Sequence, residues 1–137
     1  AGVPLIGVTT GEALAAAVPA SVRARRVVWT VIDNRRGQFV LERFAPGAAV
    51  PEGDPVVHAE AALPRETRAV AVAGDAAPLV AARLAARGVD ALLCDSRLPD
   101  AVAAARVAAL RLAGAIPPRA ARPLYAEPPS VRLPAAP

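Results

Sequence analysis

Two strand-like runs separated by five residues do most to constrain the fold. Val27-Val28-Trp29-Thr30-Val31-Ile32 is β-branched and aromatic, and Gln38-Phe39-Val40-Leu41-Glu42-Arg43-Phe44 is a second such run. Branched and ring side chains suit a pleated, half-buried surface. The join, Asp33-Asn34-Arg35-Arg36-Gly37, is polar and ends in glycine. Together these features predict an antiparallel hairpin with a longer loop. A surface turn does not need two adjacent arginines between a carboxylate and a glycine. Asp33, Arg35, Arg36 and Gly37 are therefore the candidate binding residues, suited to an anion or an acidic partner.

The elements around the hairpin follow from local signals. Leu5 to Val8 is a short apolar run, a strand or a connector. Thr9-x-x-Glu12 has the spacing of a capping box, so a helix is expected over about Thr10–Val18, stopped by Pro19. Residues 45–55 are rich in Pro and Gly and read as a loop, and Val56–Ala59 reads as a third strand. The second half changes character. Val70–Ala73 ends in Gly74-Asp75, and Asp75 is placed to cap a helix over about Ala76–Arg87, with Gly88 as its stop. Ala91–Cys94 is another short strand. Asp95 or Ser96 then caps a helix running to about Ala113, with Leu98, Val102, Ala105, Ala109 and Leu112 as its inner face and Arg111 off it. From Ile116 the chain is Pro-rich and reads as extended. Hairpin-joined strands followed by strand–helix units describe an α/β fold, a mixed sheet with helices on its faces. This is the ribonuclease-H-like order, the unit that actin and sugar kinases use twice.

Composition narrows the function classes. At 137 residues the chain is one domain by size. All 16 basic residues are arginine and none is lysine. Total exclusion of lysine points to coding bias, and the arginines are spread along the chain, so a net charge of +4 makes only a weak case for nucleic acid. Cys94 is the single cysteine, which rules out an intramolecular disulfide and fits a reducing compartment. No charge-free apolar stretch reaches the roughly 18 residues of a membrane span, and the N-terminus has no basic n-region. A cytoplasmic location is expected. Pro4-Leu5-Ile6-Gly7-Val8 reads as entered in mid-architecture, as if the chain were a domain of a longer protein.

Three segments, in order, resemble one family. Pro4-Leu5-Ile6-Gly7-Val8-Thr9-Thr10-Gly11-Glu12-Ala13-Leu14-Ala15 is similar to the segment that crosses from the first to the second lobe of TsaB (YeaZ) proteins. These are the accessory proteins of bacterial threonylcarbamoyladenosine tRNA modification. Ile32 to Val40 resembles the hairpin of their second lobe. Arg122-Pro123-Leu124-Tyr125-Ala126-Glu127-Pro128-Pro129, with Leu133-Pro134, resembles their closing tail. This chain departs from the family at Asn34, Gln38 and Val40, and at Ala126-Glu127.

The resemblance implies that residues 1–115 are the second ribonuclease-H-like lobe of a two-lobed protein and residues 116–137 its extended tail, with the first lobe outside this chain. It further implies a catalytically inert partner of a TsaD-like enzyme, joined by a TsaE-like ATPase. That complex transfers a threonylcarbamoyl group to adenosine 37 of tRNA. Contact with tRNA would be indirect, no cofactor or membrane is implied, and a homodimer is a further arrangement. In the actin-type architecture the hairpin at Asp33–Gly37 would face a phosphate, yet one glycine and two bulky arginines make a degenerate phosphate turn. A solvated hairpin tip and a binding surface both fit it.

The remaining chemistry is sparse. His58 is the sole histidine, and no His-Glu-x-x-His is present, which counts against the glycoprotease activity that relatives have been named for. Cys94 reads as a buried structural thiol and Ser96 as a cap. Tyr125 is expected to anchor the tail by packing its ring on the domain. An α/β hydrolase or transferase is the competing reading, but no catalytic set can be assembled for it. A stand-alone nucleic-acid-binding domain would need clustered basic residues with exposed aromatics.

Overall fold

The computed structural model describes residues 2–127. Five strands form one mixed sheet: β1 (Val27–Asp33), β2 (Gln38–Phe44), β3 (Val56–Ala59), β4 (Val70–Ala73) and β5 (Ala91–Leu93), in the spatial order β3-β2-β1-β4-β5. β1 pairs antiparallel with β2, and β2 with β3, whereas β4 lies parallel to both β1 and β5. The hairpin register sets Thr30 opposite Glu42 and Ile32 opposite Val40. This is the ribonuclease-H-like fold expected from the shift between hairpins and strand–helix units.

Side-chain alternation divides the core. Val27, Trp29 and Val31 of β1 face one side, where they pack with Phe39, Leu41, Val70, Val72 and helix α3 (Ala77–Ala86) through Val80 and Leu84. Val28, Phe44, Ala71 and Ala73 face the other, against Leu14, Ala15 and Val18 from helix α1 (Thr10–Ala17) and its C-terminal end, which the one-turn helix α2 (Ala20–Arg23) follows. Fully burying a side chain of the Val, Leu or Phe class is worth ~1.5–3 kcal/mol, so these two clusters carry most of the stability. β4 is buried on both faces, as a central parallel strand should be. Gly74 follows it with φ of +108°, and a Cβ there would overlap the backbone carbonyl of Val31. Glycine alone allows β4 to end that close to β1.

Helix α4 (Ala101–Leu112) packs against α1 rather than chiefly on the sheet, which makes it an outer third layer. Its expected inner face is corrected. Ala103, Val107 and Arg111 are buried, whereas Leu98, Val102 and Leu112 are exposed at 73%, 57% and 68%. Its start is corrected too. The residue before Pro99 is steered away from helical backbone, so the helix begins after Asp100, whose side chain accepts from the Val102 N–H at 3.0 Å. Ser96 is no cap; its hydroxyl donates to the Leu14 carbonyl at 3.1 Å. Asp75 does not cap α3, whose N-cap is Ala76. Its carboxylate accepts from the Asp33 N–H at 2.9 Å and ties the hairpin to the end of β4.

The capping box at Thr9 and Glu12 is complete. The Thr9 hydroxyl accepts from the Glu12 N–H, and the Thr9 N–H donates to Glu12 Oε2, both at 2.9 Å. Glu12 is buried all the same, because its partner is Arg111. Nη1 donates to Glu12 Oε2 at 2.9 Å, and Nη2 pairs with Oε1. The same guanidinium donates to the Gly7 carbonyl at 2.9 Å and the Pro117 carbonyl at 3.0 Å. A buried ion pair is strong only when its remaining donors are satisfied, and here the chain before α1 and the chain after α4 satisfy them. Gly7 N–H also donates to the Arg119 carbonyl at 2.9 Å. Leu5–Val8 is thus a connector strapped to the segment after α4, and not a strand.

Arg111→Ala is expected to lose ~3–5 kcal/mol in a denaturant melt, because it leaves the Glu12 carboxylate buried and unpaired. Adding Glu12→Gln should recover part of that loss. A loss confined to ~1 kcal/mol, or no recovery in the double variant, would show that the pair does not hold the layers together.

Candidate functional site

The hairpin loop closes on its own side chains. Asp33 Oδ1 accepts from the Arg35 N–H at 2.7 Å, and Asn34 Oδ1 accepts from the N–H groups of Arg36 at 2.9 Å and Gln38 at 3.3 Å. These are Asx-type turns. Arg35 takes φ of +61° and Gly37 +73° to complete the reversal. A phosphate cradle needs backbone N–H groups turned outward onto the anion. In this loop those of Arg35 and Arg36 are already occupied. What the tip offers is its guanidinium groups, with side chains 82% exposed at Arg35 and 63% at Arg36. Arg35 lies 3.9 Å from Asp75, and Arg36 lies 3.7 Å from Glu127. Exposed pairs of that length contribute little and leave both cations available.

A cleft of about 680 Å³ opens beside the hairpin. α1 covers β1 on its sheet face, and the β2–β3 side beside it is left bare. Val40, Val57 and Glu42 form the floor, and residues 6–10 and 119–127 form the walls. Glu42 is 5% exposed. Its carboxylate sits at the N-terminus of α1 and accepts from the Thr9 hydroxyl at 3.2 and 3.3 Å and from the Gly11 backbone. A helix N-terminus favours an anion there, and a Cβ on Gly11 would overlap that carboxylate. Burial outweighs these contacts and raises the Glu42 pKa above the usual carboxylate range; Glu12 adds to the rise and Arg119 opposes it. Across the strand pair, the Thr30 hydroxyl is buried and has no hydrogen-bond partner among the described residues.

The expected tail anchor is corrected. Tyr125 is 76% exposed and lies on the wall of the cleft. Arg111 and the Gly7–Arg119 backbone bond hold the chain upstream of it, at Pro117 and Arg119. The tail motif residues Pro128, Pro129, Leu133 and Pro134 lie outside the described residues, as does the stretch 128–137 of the expected tail.

His58 is on edge strand β3 and Cys94 follows β5, at opposite edges of the sheet, so they cannot form a thiol–base pair. Burial pushes the Cys94 thiol pKa up, which keeps it neutral. Among the described residues, no group of three or more His, Cys, Asp and Glu side chains is placed to hold a metal. Nor is any helix there long and apolar enough to cross a membrane.

Sequence reasoning missed Glu42, Glu12 and Arg111 as a buried polar cluster. One signal was present. Glu42 falls at a period-two position between the apolar Val40 and Phe44.

The architecture is a ribonuclease-H-like fold with an uncovered strip of sheet. Among solved structures it is similar to one described as "Crystal structure of an uncharacterized protein with similarity to peptidase YEAZ from Pseudomonas aeruginosa", with a TM-score of 0.61 and 20% sequence identity. The likeness covers 88% of this chain and 57% of that one, so this chain spans a little over half the neighbour's length. At that identity the likeness establishes the fold. No protein-family model and no curated protein matches the chain.

The raised Glu42 pKa has a sign that can be tested. The folded state binds this proton more tightly than the unfolded chain does. The destabilising contribution is absent below the unfolded pKa, grows as pH rises through the window between the two, and is complete above the folded pKa. Glu42→Gln is neutral throughout, so it is expected to gain stability relative to the parent as pH rises from about 4 toward neutral. Glu66, held at about 2 by Arg68, is common to both proteins and drops out of the comparison. Denaturant melts across that range check it; a difference that stays flat or shrinks with pH contradicts the assignment.

Proposed function

We propose that the chain is a non-catalytic partner lobe of a protein resembling TsaB. It supports threonylcarbamoyl transfer to adenosine 37 of tRNA by forming a complex with a TsaD-like enzyme, which a TsaE-like ATPase joins. The observation that carries the reading is the hairpin tip. The backbone N–H groups of Arg35 and Arg36 are spent on the loop itself while their two guanidinium groups project outward, an arrangement suited to meeting a carboxylate or phosphate on a macromolecule rather than to turning over a nucleotide. The three-segment resemblance and the fold shared with a YeaZ-similar structure support the same reading. The separation of His58 from Cys94 weighs against the hydrolase or transferase alternative.

Arg35→Ala combined with Arg36→Ala is expected to leave stability within about 0.5 kcal/mol, as for most surface changes. In a two-lobed protein carrying this lobe, reconstituted with its partners, the same change should weaken assembly or tRNA modification, and the loss should depend on salt. Unaltered assembly and modification at low salt would remove the tip from the function.

A further inference from the structure

A second surface, remote from the hairpin, pairs an apolar helix face with a groove. α4 is apolar nearly all round, a pattern that belongs to a helix covered on both sides. At ~100° per residue, Val102, Ala105, Ala109 and Leu112 lie opposite the buried Val107. No element of the described chain covers them, and Val102 and Leu112 are 57% and 68% exposed. Beside this stripe runs a groove of about 370 Å³ between α1, α4 and the loop after β2. Ala15, Ala48, Ala109 and Leu110 are among its walls. Small side chains let another backbone approach, and Leu110 gives it something to grip.

The charges on the groove choose the occupant. Its charged lining residues are Arg23 and Arg106, and no acid lines it. Among the described residues neither arginine forms an ion pair. Arg23 spends only Nε, donating to the Val18 carbonyl at 3.0 Å. α4 itself has no acidic residue between Ala101 and Leu112. A second copy laid antiparallel along the stripe would set Arg106 beside its own equivalent, with no carboxylate to offset the repulsion. We infer that this face docks an amphipathic helix of a partner protein, with Leu-type side chains in the groove and Asp or Glu beside Arg23 and Arg106. The inference does not rest on the tRNA reading.

The test uses the full chain and two labelled synthetic helices of about 18 residues, long enough to hold helical structure. Both carry the same leucine stripe; one is flanked by glutamate and the other by lysine. Fluorescence anisotropy is expected to show the glutamate helix binding at least about tenfold tighter, with an affinity that falls with salt. Arg106→Glu, at an exposed position, should reverse the preference. Ala109→Trp should fill the groove and abolish binding of both helices while leaving the melt of the protein unchanged. Equal affinity for the two helices would overturn the inference. So would binding that ignores both substitutions. Self-association in sedimentation that Ala109→Trp abolishes would give the face to a second copy and also overturn it.

Discussion

The pairing of Glu12 with Arg111 is the constraint on which the arrangement of layers depends. Glu12 is the N3 residue of α1 and is fixed there by the capping box with Thr9. Arg111 is in the last turn of α4. Their contact sets the two helices in register, and the donors left over on the guanidinium reach the carbonyls of Gly7 and Pro117. One side chain therefore fastens α1, α4, the chain entering the domain and the chain leaving it. Such pairs contribute little net energy over an apolar equivalent, but they are intolerant of losing one member. Their effect is to make one arrangement far better than its neighbours.

The same cluster explains why the cleft has the floor it has. Glu42 would be an unfavourable residue in the middle of a strand facing inward. It is tolerated because the strand delivers its carboxylate to the free N–H groups at the start of α1, where Gly11 leaves room for it. Two carboxylates, Glu12 and Glu42, thus meet near one helix end, answered by Arg111 and Arg119. Each acid is held by a different means: Glu12 by a buried cation, Glu42 by a hydroxyl and a backbone amide. The weaker compensation at Glu42 is why burial wins there.

Much of the fold was legible because it is written in local signals. The β-branched runs, the five-residue turn and the Thr9–Glu12 spacing place the hairpin and α1 to within a residue or so. What was illegible depended on contacts distant in sequence. Arg111 looks like a surface residue on a helical wheel. Its burial follows only from Glu12, 99 residues earlier. Asp75 has the chemistry of a cap but is claimed by the Asp33 N–H across two strands. Tyr125 has the chemistry of an anchor, but its ring is left in solvent. In the candidate site, the residues of the tip were identified from sequence, while their geometry was not. Asp33 and Asn34 turn out to serve the loop itself.

The error on α4 is the most instructive of these, because the periodicity was read correctly and the face was not. Val102, Ala105, Ala109 and Leu112 do form a stripe, and a stripe of that kind is normally the inner one, whereas Leu98 lies before the helix. Alanine makes the opposite face of the helix nearly as apolar, so hydropathy alone cannot rank the two. The arginines decide it. Arg111 has a buried carboxylate waiting for it, so the face containing Ala103, Val107 and Arg111 turns inward, and the larger apolar residues are left outside. An electrostatic requirement at one end of the helix thus fixes its rotation at the expense of apolar burial. The exposed stripe is the cost of that choice.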